Sequence, residues 1–159
     1  MKTQKIIVLN EVLTKLAEKQ SPLKLTIARG IIAVKTITEE FNLSKSDKFN
    51  DLVKSDELGN PVPTKALKEA IEKGLIKPND QVPFEAYEFE SVDGFNELSD
   101  HLHLIRDKEV DIKLPSVKLS KLIRVGEDDI SLEDLLEASD SVIDSYDLGV
   151  LLEAGIITE

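Results

Sequence analysis

Cysteine is absent from the 159 residues, which excludes any disulfide framework and any thiolate metal site. Tryptophan is absent too, methionine occurs once, and aromatic residues make up 4% of the chain. A hydrophobic core must therefore come from Leu, Ile and Val. No apolar run approaches the roughly 20 residues needed to cross a bilayer as a helix. The opening MKTQKIIVLNEVLTKLAEKQ puts a Lys before an apolar run, but that run lasts only from Ile6 to Leu9 before Asn10 and Glu11 end it. Export is not expected, and the composition suits a reducing cytoplasm. There is also no Gly-rich phosphate loop and no Gly-x-Ser-x-Gly nucleophile motif.

What the chain does have is 41% hydrophobic residues and a formal charge of −11. That apolar content is too high and too periodic for general disorder and fits one domain over 1–159. Charge is unevenly spread. Residues 1–77 carry 14 basic and 10 acidic side chains, a net of +4, whereas 78–159 carry 6 and 21, a net of −15. After Arg124 eleven acids follow without one base. Such a polyanionic stretch repels nucleic acid and anionic membrane and attracts basic protein surfaces.

Periodicity gives the elements. Ile6, Leu9, Leu13, Leu16 and Ala17 recur at spacings of three and four, predicting a helix. Ser21 and Pro22 form a cap and first turn for a second helix, with Leu23, Ile27, Ile31, Val34, Ile37 and Phe41 on one stripe. The short connection predicts an antiparallel hairpin over 5–41. The β-branched residues between 26 and 38 oppose this assignment, but the helical spacing outlasts any alternation. In the mixed middle, 44–120, SKSDKFNDLV suggests a short helix or a continuation of the second one. ELGNPVPT predicts a turn, and Thr64 and Gly74 bracket a helix over 65–73. Extended structure is expected to about Val92, then a short helix near Phe95–Leu104. Val110, Ile112 and Leu114 alternate with Glu109, Asp111 and Lys113, predicting a half-buried strand, and Val117 and Leu119 predict a second. In the acidic part, 125–159, Ser131 and Asp134 form a capping box, and a helical piece from Asp140 to Ala154 ends at Gly155. The expected fold is α+β: a helix hairpin on a small antiparallel β element and C-terminal helices.

Candidate chemistry is sparse. His101 and His103 share a face on a strand but point roughly 200° apart on a helix, and no third metal ligand stands at useful spacing. Glu127-Asp128-Asp129 lacks the alternating ligands, central Gly and terminal Glu of a calcium loop, and reads as a solvated turn. The N-terminal basic residues are diluted by Glu11, Glu18, Glu39 and Glu40 with no aromatic between them for base stacking. No catalytic, cofactor or metal residues are assigned. The expected functional surface is an acidic helical face, Glu133, Glu137, Asp140 and Asp144, offered to a basic protein surface.

The segments VLNEVLTKLAEKQSPLKLTIARGI, DELGNPVP, FNELSDHLHLIRDKEVDIKLPSVKLSKL and ISLEDLLEA follow one another as in short proteins of unknown function encoded by tailed bacteriophages, which the chain resembles. The resemblance covers roughly two-thirds of the chain and departs from it at Lys65–Glu90 and after Asp140. It implies a non-enzymatic accessory or particle-assembly protein acting through protein–protein contacts, and brings no catalytic residues with it. An acidic inhibitor of a host defence or nucleic-acid enzyme is the alternative. Neither reading involves nucleic-acid or membrane binding, and both leave room for a homo-oligomer.

Overall fold

The structure, a computed structural model, describes residues 1–18, 23–77, 80–118 and 143–158. They form helices α1 (Thr3–Ala17), α2 (Lys24–Leu52), α3 (Lys65–Glu72), α4 (Gly94–Asp107) and α5 (Ser145–Glu153), a 3₁₀ turn at Phe84–Ala86, and strands β1 (Val117–Lys118) and β2 (Ile157–Thr158). The chain divides into two compact units, Met1–Glu40 with Asp107–Glu159, and Phe41–Arg106.

In the first unit the apolar stripe of α1 is the floor of the core. Ile6, Leu9, Leu13 and Leu16 are at most 1% exposed, and Val12 joins them, while Ala17 at the end of the stripe is exposed. Leu23, just ahead of α2, and Ile27 and Val34 of α2 join the core, with Ile31 half-buried beside them. The two helices meet where Leu13 lies over Gly30, a position at which a Cβ would come within 3.0 Å of Leu13 Cδ1. The β-branched content of α2 does not break it, and several of the branched side chains gain burial or a local bond: Ile27 and Val34 are buried. Thr38, for example, donates its hydroxyl to the Val34 carbonyl at 3.0 Å. α5 and β2 close the core with Leu148, Leu151, Ile156 and Ile157.

The β structure of this unit differs from the antiparallel element expected of it. β1 and β2 run parallel, with Val117 opposite Ile157 and Lys118 opposite Thr158. Parallel pairing needs a long crossover, and the chain between 118 and 157 contains α5. The segment 109–114 keeps its alternation of burial: Val110, Ile112 and Leu114 pack against the core, and Glu109, Asp111 and Lys113 are exposed. It does not become a ladder strand. Its partner is the chain start, where Val110 and Met1 exchange backbone bonds of 2.8 and 2.9 Å and Thr3 N–H donates to the Lys108 carbonyl. At Thr3 the partner turns into α1, so pairing stops at the single bridge between Lys2 and Glu109.

The second unit holds all five phenylalanines and Tyr87. Phe49 centres a cluster of three of them, with ring centroids 4.7 Å from Phe84, 5.6 Å from Tyr87 and 6.2 Å from Phe89. Residues 44–52 continue α2. Beyond it three extended segments close on each other in a ring of backbone bonds. Lys54 donates to Glu88, Glu88 to Val62, and Val62 to Lys54, each at 2.8 Å. Ser55 and Pro61 bridge across a tight turn in which Asp56 accepts from the N–H groups of Leu58 and Asn60. α3 is capped as its sequence indicates, Thr64 accepting from Leu67 N–H and Gly74 adopting a φ of 68°. α4 buries Leu98 completely and begins at Gly94, where a Cβ would meet Phe89 Cβ at 2.9 Å.

Two outcomes in denaturant unfolding follow. Leu13→Ala is expected to lose about 2–5 kcal/mol, since it removes a fully buried side chain from between two helices. Gly94→Ala is expected to destabilise by about 1–3 kcal/mol, because the clash with Phe89 outweighs the better helix former.

Candidate protein-docking slot

α5 owes its position to charge. Asp144 is its N-cap: the side chain accepts the Asp147 N–H at 2.8 Å. Asp147 stands in the first turn, where a carboxylate is favoured by the helix dipole, but it is only 1% exposed. Burying that charge requires a cation, and Lys15 of α1 supplies it, with Nζ at 2.8 Å from Asp147 Oδ2 and 2.8 Å from Asp144 Oδ2. The contact with Asp147 is an ion pair whose alignment falls short of a hydrogen bond, and Oδ2 has no hydrogen-bond partner among the described residues. The hydrogen bond to Asp144, with the Asp147 carboxylate beside it, holds the Lys15 ammonium well above its usual value. Asp144 lies below the usual carboxylate range, first through Lys15 and then through the Asp147 N–H.

With α5 fixed in this way, a slot of about 420 Å³ opens along it and α1. Its walls are Val8 and Leu9 from α1 and Tyr146, Val150 and Ala154 from α5, an apolar lining of a size that accepts a side chain cluster from a ligand. Tyr146 is 65% exposed, a large aromatic left on the rim. The polar rim consists of paired charges: Lys2 with Asp107 at 2.9 Å, and Lys5 with Glu153. These pairs are exposed on both sides, so they exclude little water and contribute little to stability.

The expected acidic face is only partly within this description. Glu133, Glu137 and Asp140 lie outside the described residues, as do the Ser131 capping box and the Glu127–Asp129 cluster. Asp144 is described, and it is committed to Lys15 and to its own helix rather than to an open row of acids. His101 and His103 both lie on α4: the ring of His101 is 3.0 Å from Ser44 Oγ, and His103 is exposed. Among the described residues no three His, Cys, Asp or Glu side chains converge as a metal site, and no helix is long and apolar enough to cross a membrane. A second concavity, about 590 Å³ in the other unit, is lined by Phe49, Phe84 and Lys45, whose ammonium lies 5.1 Å from the Phe84 ring centre. No protein-family model, curated protein or solved structure matches the chain.

Tyr146 and the slot were overlooked at the sequence level, yet a signal existed. Tyr146, Val150 and Ala154 recur at intervals of four, a stripe beside the one that buries Leu148 and Leu151.

A double-mutant cycle tests the clamp. Lys15→Met should lower the unfolding midpoint by leaving Asp147 buried without a cation, and adding Asp147→Asn should recover part of the loss. The coupling should exceed that of the exposed pair Lys5–Glu153. The Asp144 contribution has a defined pH sense. Its folded pKa is lowered, so its stabilisation is complete above the unfolded aspartate value of about 3.9 and is lost as pH falls through the folded value. The stability gap between wild type and Asp144→Asn should therefore close on acidification.

Proposed function

We propose that this chain is a non-enzymatic, phage-type accessory or particle-assembly protein that works by holding a segment of another protein in the slot along α1 and α5. The observation that carries the reading is the slot itself: apolar walls, an exposed Tyr146 at the edge, and a rim of ion pairs already satisfied within the chain. Buried aromatic anchors contribute most of the affinity at protein interfaces, whereas rim ion pairs contribute little. A ligand suited to this slot presents apolar side chains, and its binding depends weakly on salt. The resemblance to short proteins of tailed bacteriophages supplies the biological setting.

A second reading rests on the charge distribution, the net −15 over residues 78–159. On that reading the protein is an acidic inhibitor of a host defence or nucleic-acid enzyme, bound through Glu133, Glu137, Asp140 and Asp144. The two differ in their response to salt. Steered association between opposite charges slows steeply as ionic strength rises, and burial of Tyr146 does not.

A photoreactive phenylalanine analogue in place of Tyr146, introduced in infected cells, is expected to form a discrete protein adduct. The same analogue at the exposed Leu58 serves as control. Tyr146→Ala should then weaken binding to the adduct's partner by roughly 30-fold or more, as at a hot spot worth about 2 kcal/mol, without lowering the unfolding midpoint. If the adduct forms equally at both positions, the slot is not the binding site. If replacing the four acids by Asn or Gln abolishes binding while Tyr146→Ala leaves it intact, the inhibitor reading stands instead.

A further inference from the structure

α2 buries one face, and the opposite face is not uniformly polar. Leu23, Ile27, Gly30 and Val34 point to the core. Half a turn away Leu25 is 64% exposed and Ile32 72% exposed, and they lie within about 20° of each other on the helix. Arg29, Thr36 and Glu39 complete this outer stripe, and all three are exposed. Taken as a heptad, Leu25, Ile32 and Glu39 form one series, and Arg29 and Thr36 the other. Ala28 and Ala33 flank the stripe with small side chains that leave room for a close neighbour.

The charges on this stripe select its partner. A parallel copy would set Arg29 against Arg29 and Glu39 against Glu39. An antiparallel copy, related by a twofold axis at the level of residue 34, sets Arg29 against Glu39 and Ile32 against Thr36, each contact made twice. In that register one heptad series packs on the other, as antiparallel helix pairs require. Arg29 has no ion-pair partner among the described residues, and Glu39 has only the exposed Lys35 of its own helix at 3.7 Å. Pairing produces an alternating row, Lys35 and Glu39 of one copy followed by Arg29 of the other. Net charge also favours this face. The chain carries −11 overall, but residues 23–40 hold three basic and two acidic side chains, so two copies meet here without net anionic repulsion from the face itself.

We propose that the outer stripe of α2 within residues 25–39 is a self-association surface, on which a second copy of this chain docks antiparallel with Arg29 facing Glu39. The contact is narrow, confined to one helix face, so the dimer is a weak one that forms and dissociates with concentration. It is independent of the slot along α1 and α5 and of any partner held there.

Sedimentation velocity on the full chain, over a concentration series at low and high salt, tests this. Wild type should pass from monomer to dimer, with weaker association at high salt. Ile32→Glu should abolish dimerisation. Arg29→Glu or Glu39→Arg alone should weaken it roughly tenfold, and the two together should restore it, an outcome that a merely structural role for either residue would not produce. These positions are exposed, and unchanged thermal unfolding will exclude misfolding as the cause. The chain has no cysteine, so register is tested directly: Arg29→Cys mixed with Glu39→Cys should cross-link on oxidation, while neither variant alone should. A wild type that stays monomeric at the highest soluble concentration, a charge swap that restores nothing, or variants that cross-link equally well alone would each overturn the proposal.

Discussion

A carboxylate in an apolar core is costly unless a cation meets it, and the first unit is arranged around one such meeting. Asp147 is among the largest fully buried side chains of the chain, in company otherwise aliphatic. Its charge is tolerable because it sits in the first turn of α5 and because Lys15 reaches it from α1. The consequence is positional more than energetic. Apolar contact is non-directional and can be made in more than one register. An ion pair at 2.8 Å with one member buried cannot. Lys15 therefore fixes both the register and the rotation of α5 on α1, and with them the slot that Tyr146 and Val150 line. β2 follows α5 through Gly155, whose φ of 72° reverses the chain, and its pairing with β1 is placed by the same contact.

Much of the helical framework was legible because it rests on local rules. The stripe from Ile6 to Leu16, the Thr64 cap and the stops at Gly74 and Gly155 all depend on residues within one or two turns. The β structure was legible only as burial. Val110, Ile112 and Leu114 do face the core, yet alternation cannot say whether a partner strand exists. Here the partner is two residues of chain ahead of α1. Nor can alternation give strand direction, which depends on what the chain does between 118 and 157. The clamp was illegible for another reason. Lys15 stood among the wet-face residues of its helix, and Asp147 was one acid among eleven after Arg124. Nothing local separates a buried carboxylate from an exposed one when the compensating charge lies more than a hundred residues away. The acidic face rests on spacing alone, and spacing does not tell that Asp144 also caps a helix and holds a lysine.

Sequence composition also concealed a division of labour between the two units. The 4% aromatic content predicts an aliphatic core, and the first unit has one. The second unit holds six of the seven aromatics, and Phe84, Tyr87 and Phe89 gather around Phe49. Edge-to-face packing of this kind suits segments too short for a sheet, since each ring covers a large area from a single residue. The ring of backbone bonds joining Lys54, Val62 and Glu88 then satisfies groups that isolated extended segments would otherwise leave to water.

The exposed Leu25 and Ile32 on the outer face of α2 acquire a meaning from this arrangement. A helix that only lined the core would gain nothing in a monomer from exposed Leu and Ile on its outer face, and a contiguous apolar patch there invites association. The acidic charge elsewhere on this chain already works against indiscriminate association. An apolar stripe that carries one arginine and one glutamate ten residues apart favours a selective approach over an indiscriminate one. Selectivity comes from repulsion as much as attraction: the parallel copy opposes like charges, and the antiparallel copy does not. The features that make the stripe expensive for a monomer are the ones that give a dimer its direction.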